Sequence, residues 1–214
     1  MTIAVHELGV HHIPVLKQHF TSLGMEDRRL RFGIPLKDEQ IEAYVDRILF
    51  GEDAVFGVYA DDLTLIAVAH LASRADPAEL GLSVLPEARG KGIGTLLFQR
   101  AVMRARNLRI VEIFMHCLAN NSTVLHIARK NGMRVVFTQS EADAWLVLPP
   151  ATAASLGQEA VHDHVALLDW AMKAAMIGSR MPPASCWRSR RPRALSCPDE
   201  SPGSLGDGFR HEHP

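Results

Sequence analysis

The segment Val84-Leu85-Pro86-Glu87-Ala88-Arg89-Gly90-Lys91-Gly92-Ile93-Gly94 holds the residues best suited to chemistry. Three glycines in five positions, with Lys91 among them and Arg89 just before, follow an apolar run (Leu80 to Leu85) and lead into an amphipathic one (Thr95 to Leu108). A turn of that make-up between a strand and a helix presents several backbone N–H groups at the positive end of a helix dipole. Glycine removes the Cβ that would hold a ligand away from the backbone. A phosphate-bearing ligand is therefore expected here.

The elements that must position this turn follow from periodicity. Residues 11–23 repeat apolar side chains at helical spacing (Ile13, Leu16, Phe20, Leu23), and residues 38–49 do so again (Ile41, Tyr44, Val45, Ile48, Leu49). Residues 54–60, Leu63–Leu71 and Glu79–Leu85 read as three strands, separated by Asp61-Asp62 and by Ala75-Asp76-Pro77. A helix at about 93–107 has Ile93, Leu96, Leu97, Ala101, Val102 and Ala105 as its apolar face, with Arg100, Arg104 and Arg106 mostly outside it. Ile110–Leu118 is a near-continuous apolar strand, which suggests a central place in the sheet. Asn120-Asn121-Ser122 caps a helix that stops at Asn131-Gly132. Arg134–Thr138 and Ala144–Leu148 form a closing pair of strands. The pattern predicts an α/β fold: a mixed, mostly antiparallel central sheet flanked by helices. One domain over residues 1–150 is followed by a helical extension at 151–177, with Leu156, Val161, Val165, Leu168 and Met172 as its stripe. Residues 178–214, rich in Pro, Ser, Arg and Gly and without periodicity, are expected to be disordered.

Composition bounds the function. The 214 residues carry a net charge of −1, which argues against a general nucleic-acid binder. Three cysteines are too few for a disulfide framework, so a reducing, cytoplasmic setting is expected. No apolar run approaches the roughly eighteen residues of a membrane helix, and the first residues do not read as a secretory signal. Eleven histidines make chance clusters unremarkable, and none of the groups (His6/His11/His12, His162/His164, His211/His213) has a convincing ligand set, so no metal site is expected.

The glycine turn is neither a Walker A loop, because no Gly-Lys-Ser/Thr follows four free positions after a glycine, nor a G-x-G-x-x-G dinucleotide fingerprint. Arg89-Gly90-Lys91-Gly92-Ile93-Gly94 instead resembles the Arg/Gln-x-x-Gly-x-Gly/Ala signature of the GCN5-related N-acetyltransferases, and Val84-Leu85-Pro86-Glu87 before it is similar to that family too. Asn121 through Gly132-Met133 resembles its second signature, an Asn, a helix, then Gly-Phe. The resemblance covers about residues 6–149 and implies the acyl-CoA N-acyltransferase fold and acetyl-CoA as co-substrate. It implies that the amides of 90–95 (Gly90, Lys91, Gly92, Ile93, Gly94, Thr95) hold the pyrophosphate. It implies that the strand through Ser83 and Val84 binds the pantetheine arm by its backbone, splayed from Ile110–Leu118, and that Asn121 faces the cofactor. Arg89 and Lys91 add charge attraction.

Acetyl transfer to an amine needs a base for the ammonium, polarisation of the thioester carbonyl and a proton for the departing thiolate. The resemblance implies a strand glutamate as base, and Glu79 is the best-placed carboxylate; a solvent-exposed strand end is the alternative. The family's usual acid, a tyrosine on the helix after Asn121, falls on Ala128 here, while Tyr44 and Tyr59 lie far upstream in the sequence. His126 is read as exposed and Cys117 as a small buried strand residue rather than a nucleophile. The run Glu26-Asp27-Arg28-Arg29-Leu30-Arg31-Phe32, in the region that forms the acceptor groove in that family, is read as solvated. These residues together predict an N-acetyltransferase acting on a primary amine of a small molecule or a protein, with a non-catalytic acyl-CoA-binding module as the alternative. Neither nucleic acid nor membrane is an expected partner, and a homodimer stays open.

Overall fold

The computed structural model describes residues 3–74 and 76–180. Its seven strands are β1 (His6–Leu8), β2 (Ala54–Tyr59), β3 (Leu65–Ala72), β4 (Ala78–Val84), β5 (Glu112–Leu118), β6 (Arg134–Thr138) and β7 (Glu141–Val147). They form one sheet in the order β1-β2-β3-β4-β5-β7-β6. Every neighbouring pair is antiparallel except β4 and β5. The mixed, mostly antiparallel sheet is the one expected, and β5 lies inside it.

The helices are α1 (Ile13–Thr21), α2 (Met25–Phe32), α3 (Asp38–Asp46), α4 (Ile93–Asn107), α5 (Ser122–Lys130) and α6 (Ala153–Arg180). Two elements escape the apolar patterning. β1 has only three residues, too few for a period to register. α2 is mostly charged, with Arg28 as its one fully buried residue. Arg28 donates to the carbonyls of Leu23, Leu36 and Thr21, and pairs with Asp38 at 2.7 Å, tying α2 to the chain on both sides. The run read as solvated is so only in part: Glu26 and Arg29 pair in solvent, whereas Arg28 and Arg31 turn inward.

Strand alternation sorts side chains onto two layers. Phe56 and Val58 of β2, Leu80 and Leu82 of β4 and Ile113 and Met115 of β5 pack under Leu97, Phe98 and Ala101 of α4. Val55 of β2 and Leu65 and Val68 of β3 face the other way, under Leu16 and Phe20 of α1 and Ile41 and Val45 of α3. Each fully buried Leu or Phe contributes about 1.5–3 kcal/mol.

His19 of α1 is 2% exposed. Its Nδ1–H donates to Leu65 O at 2.9 Å, and its Nε2 accepts from Ser83 Oγ at 2.7 Å. Burial pushes its pKa down to about 4, so the imidazole is neutral and both nitrogens are used.

The last helix corrects the sequence expectation. Leu156, Val161, Val165, Leu168 and Met172, expected to bury, lie exposed, and Ser155, Glu159, Ala166 and Lys173 face the domain instead. The reason is Arg100 of α4. Expected outside the apolar face, it is 2% exposed, with its guanidinium 4.6 Å from the Phe56 ring. A buried guanidinium needs anions, and α6 supplies Glu159 at 2.8 Å and Asp163 at 2.7 Å. Glu159 also accepts from Asn107 at 2.6 Å. Farther along, Lys173 donates to Tyr59 O and pairs with Asp169, which contacts His6. The polar face of α6 is drawn in by charges that no apolar stripe could satisfy. Residues 181–214, where disorder was expected, lie outside the described residues.

Two outcomes follow from these burials. Replacing Arg100 by Ala strands Glu159 and removes the anchor of α6. Denaturant unfolding is expected to show a loss of about 3 kcal/mol, and limited proteolysis should cut first in α6. His19 has a folded pKa near 4 against about 6.5 unfolded. The unfolded chain therefore binds the proton first. The stabilisation from neutral His19 is complete above pH 6.5, falls between pH 6.5 and 4, and is gone below about 4. Stability measured across that window should fall by up to about 3 kcal/mol for this group, and His19→Gln should flatten the slope.

Candidate functional site

β4 and β5 share only two register pairs, Ala78↔Ile113 and Glu79↔Phe114. Beyond Glu79 the strands part. Each keeps its outer neighbour: β4 pairs with β3 through Val84, and β5 with β7 through Leu118. The split exposes an edge of β4 whose backbone no strand covers. It also opens a cleft of about 190 Å³ that reaches from Glu79, Gly81 and Leu82 across to Met115, His116 and Cys117. That is room for roughly six waters, so only a small group or a chain end fits.

The glycine turn closes the same end of β4. Gly90 and Gly92 have φ of 75° and 76°, the left-handed region that suits glycine, and no atom lies within 4 Å of where their Cβ would stand. Gly92 caps α4, and the first amide to find an acceptor is that of Thr95, which bonds Gly92 O. The amides of 90–94 have no backbone partner among the described residues. They form a row of donors at the start of a 15-residue helix. Gly94 lets α4 approach α5, since a Cβ there would sit 2.8 Å from Ile127 Cδ1.

The two cations of the turn fold back onto the protein. Arg89 donates from Nε to Val84 O and pairs with Asp27 of α2 at 2.7 Å, while Lys91 donates to Glu87 O. Their charge remains near the turn, but their geometry braces the loop.

Of the other residues singled out in the sequence, Glu79 is exposed and lines the cleft. Ser83 is buried with its hydroxyl on His19. Asn121 lines the cleft as well; its Oδ1 accepts from Val124 N and its Nδ2 donates to Leu30 O, which joins α5 to α2. Cys117 is 5% exposed, its thiol directed at Ala142 O and its pKa pushed up by burial, so it packs rather than attacks. Ala128 is buried in the α4-side core. His126 is exposed.

Three cleft residues were not legible. Tyr44, distant in sequence, reaches the cleft from α3; its hydroxyl lies 2.7 Å from His70 Nδ1 and accepts from Arg31 at 2.9 Å. Arg31 itself lies against Gly81, whose missing Cβ leaves space for the guanidinium. His116 stands on β5 opposite Asp143, with Nδ1 2.7 Å from Asp143 Oδ1. Only the register of distant strands brings these groups together, and no spacing in the sequence announces it.

A family model described as the acetyltransferase (GNAT) family matches residues 22–133, just over half of the chain. The chain belongs to that family. GNAT structures share its fold at low identity. The GNAT domain of S. lividans PAT is 17% identical, with a TM-score of 0.60 over 69% of this chain and 92% of that one. The PaiA N-acetyltransferase of Thermoplasma acidophilum, solved with coenzyme A, is 24% identical, with a TM-score of 0.53 over 69% and 99%. The phosphinothricin acetyltransferase of Sinorhizobium meliloti, solved with AcCoA, is 16% identical, with a TM-score of 0.56 over 72% and 95%. No curated protein shows significant sequence similarity to the chain. Within this GNAT domain the matched region runs from the end of α1 through α5, so it holds the split strands, the glycine turn and the capped helix together.

Proposed function

We propose that the protein is an acetyl-CoA-dependent N-acetyltransferase that acetylates a primary amine. One observation carries this reading: β4 parts from β5 after Glu79 and leads into a turn whose amides at 90–94 have no backbone partner among the described residues. A pyrophosphate at those amides would leave a pantetheine arm lying along the open edge of β4, at Ser83 and Val84, with its thioester in the cleft. The coenzyme A and AcCoA bound in the Thermoplasma and Sinorhizobium proteins support that donor.

Glu79 is the proposed base. It takes a proton from the acceptor ammonium, directly or through water. The freed amine nitrogen attacks the thioester carbonyl carbon. A C–N bond forms, the nitrogen gives up its second proton to water, the C–S bond breaks, and the CoA thiolate leaves with the electron pair and takes up a proton. Ala128 offers no acid for that last step. The protonating groups that remain at the cleft are water and His116, which Asp143 orients through Nδ1. The buried methyl of Ala128 also favours a second reading, a module that binds acyl-CoA without turning it over.

No helix among the described residues is long and apolar enough to cross a membrane. A cytoplasmic setting belongs to the proposed reading and rests on the few cysteines.

Thiol release from acetyl-CoA across a panel of amines separates the two readings, because the module would bind CoA and release none. Glu79→Gln is expected to lower kcat about 100-fold with little change in CoA binding. An unchanged kcat would remove Glu79 from the chemistry. Gly92→Glu places bulk and negative charge at the cradle. CoA affinity measured by calorimetry should fall at least about tenfold, or roughly 1.4 kcal/mol. Unchanged affinity in a folded variant would remove the turn as the phosphate site.

A further inference from the structure

Among the described residues, Arg31 is a guanidinium that pairs with no anion. It lines the cleft with Glu79, lies against Gly81 and stacks near three rings, 5.9 Å from Phe20, 4.9 Å from Phe32 and 5.7 Å from Tyr44. Among the described residues its one hydrogen-bond partner is Tyr44 Oη, and its Nε is buried with none. The other inward-facing arginines behave differently. Arg28 pairs with Asp38, and Arg100 with Glu159 and Asp163. A half-buried cation beside aromatic faces is held there by cation–π attraction, but its in-plane N–H groups still call for an acceptor.

A relay behind Arg31 holds it in place. Because Tyr44 Oη accepts from Arg31, its O–H is left to donate to His70 Nδ1 at 2.7 Å, while His70 Nε2 lies 3.3 Å from Asp53 Oδ2 without a hydrogen bond. Burial, with help from the Arg31 charge, lowers the His70 pKa to about 4, so the ring stays neutral. The tyrosine oxygen is thereby turned to accept from Arg31 at 2.9 Å. Asp53 is itself fixed by the amides of Leu49 and Ser73. Among the described residues no carboxylate pairs with the guanidinium, so Arg31 lines the cleft as a cation that no anion neutralises.

We propose that Arg31 is the anchor for a carboxylate on the acceptor, so that the amine substrate is an amino acid or a comparable small aminocarboxylate. This rests on the transferase reading of the same cleft. The two charges divide the acceptor: Glu79 faces its ammonium and Arg31 its carboxylate. One guanidinium presents a planar fork that matches one carboxylate, and no lysine or second arginine lines the cleft to balance a dianion such as a phosphate monoester.

The experiment compares acceptors that differ only in the carboxylate: glycine, β-alanine, 4-aminobutyrate and the L-α-amino acids, each against its amide and its decarboxylated amine. Acetyl-CoA thiol release and calorimetric binding in the presence of CoA are both read. The wild-type chain is expected to prefer at least one carboxylated acceptor over its amide and amine by tenfold or more in kcat/KM. Arg31→Met and Arg31→Gln should abolish that preference, with the loss appearing as a raised KM for the carboxylated acceptors. The wild-type comparison needs no variant, so misfolding of a variant cannot hide the answer. Equal or better turnover of neutral amines or diamines by the wild-type chain overturns the proposal. Carboxylate-dependent binding that Arg31→Met removes, with no turnover of any acceptor, supports the anion site and overturns the transferase reading. If no carboxylated probe binds or reacts better than its amide, the Arg31 proposal is overturned. CoA-dependent thiol release with neutral amines would then leave the transferase reading standing alone.

Discussion

The structure depends on where one strand pairing stops. A parallel pair is bonded along its length only if both strands stay in register, and β4 and β5 do so for two residues. The antiparallel neighbours on either side make the break tolerable. β4 is held by six pairs to β3, and β5 by seven to β7, so the sheet parts without either half losing its ladder. In the proposed reading, the unsatisfied edge is the binding surface. Backbone donors and acceptors that would be a liability at a sheet margin face a cleft and a helix N-terminus where a ligand can pair them.

A second constraint comes from buried charge. Arg100 lies over Phe56 in the main core, where an isolated cation would be costly, and α6 presents Glu159 and Asp163 to it. This reverses the usual logic of an amphipathic helix. The apolar residues of α6 remain outside because the strongest demand on the helix comes from a guanidinium and not from uncovered hydrocarbon. Arg31 sits under the same rule with a different outcome: aromatic faces and one phenol oxygen surround it, its Nε is buried without a partner, and it lines the cleft.

What the sequence made legible was local. The glycine turn, the cap at Asn121 and the helix from Ile93 to Asn107 are each specified by residues within a few positions of one another, and their places in the chain stand as read, although Arg100 turned out to be buried. The segment from Glu26 to Phe32 was not legible as a helix, because its apolar stripe is nearly absent and long-range bonds from Arg28 hold it. The stripe of α6 was visible but its direction was not, since direction depends on Arg100, more than fifty residues earlier. The same holds for the cleft. Glu79 could be placed from its strand, whereas Arg31, Tyr44 and His116 meet it only through the tertiary fold.

That distinction bears on Ala128. By motif alone its methyl group subtracts an acid from the site, and the chain looks impaired. The cleft has a different inventory: a carboxylate, a histidine oriented by Asp143 and a tyrosine oxygen already engaged by Arg31 and His70. Tyr44 is a poor candidate for the missing acid. Burial raises its pKa, and its proton is committed to His70 in the arrangement that points its oxygen at Arg31. Serving as acid would release the guanidinium that this hydroxyl orients. His116 lines the cleft with its Nδ1 held by Asp143 at 2.7 Å and its Nε2 3.7 Å from Glu141 Oε1, so in the proposed chemistry proton return would fall to a strand residue rather than a helix residue.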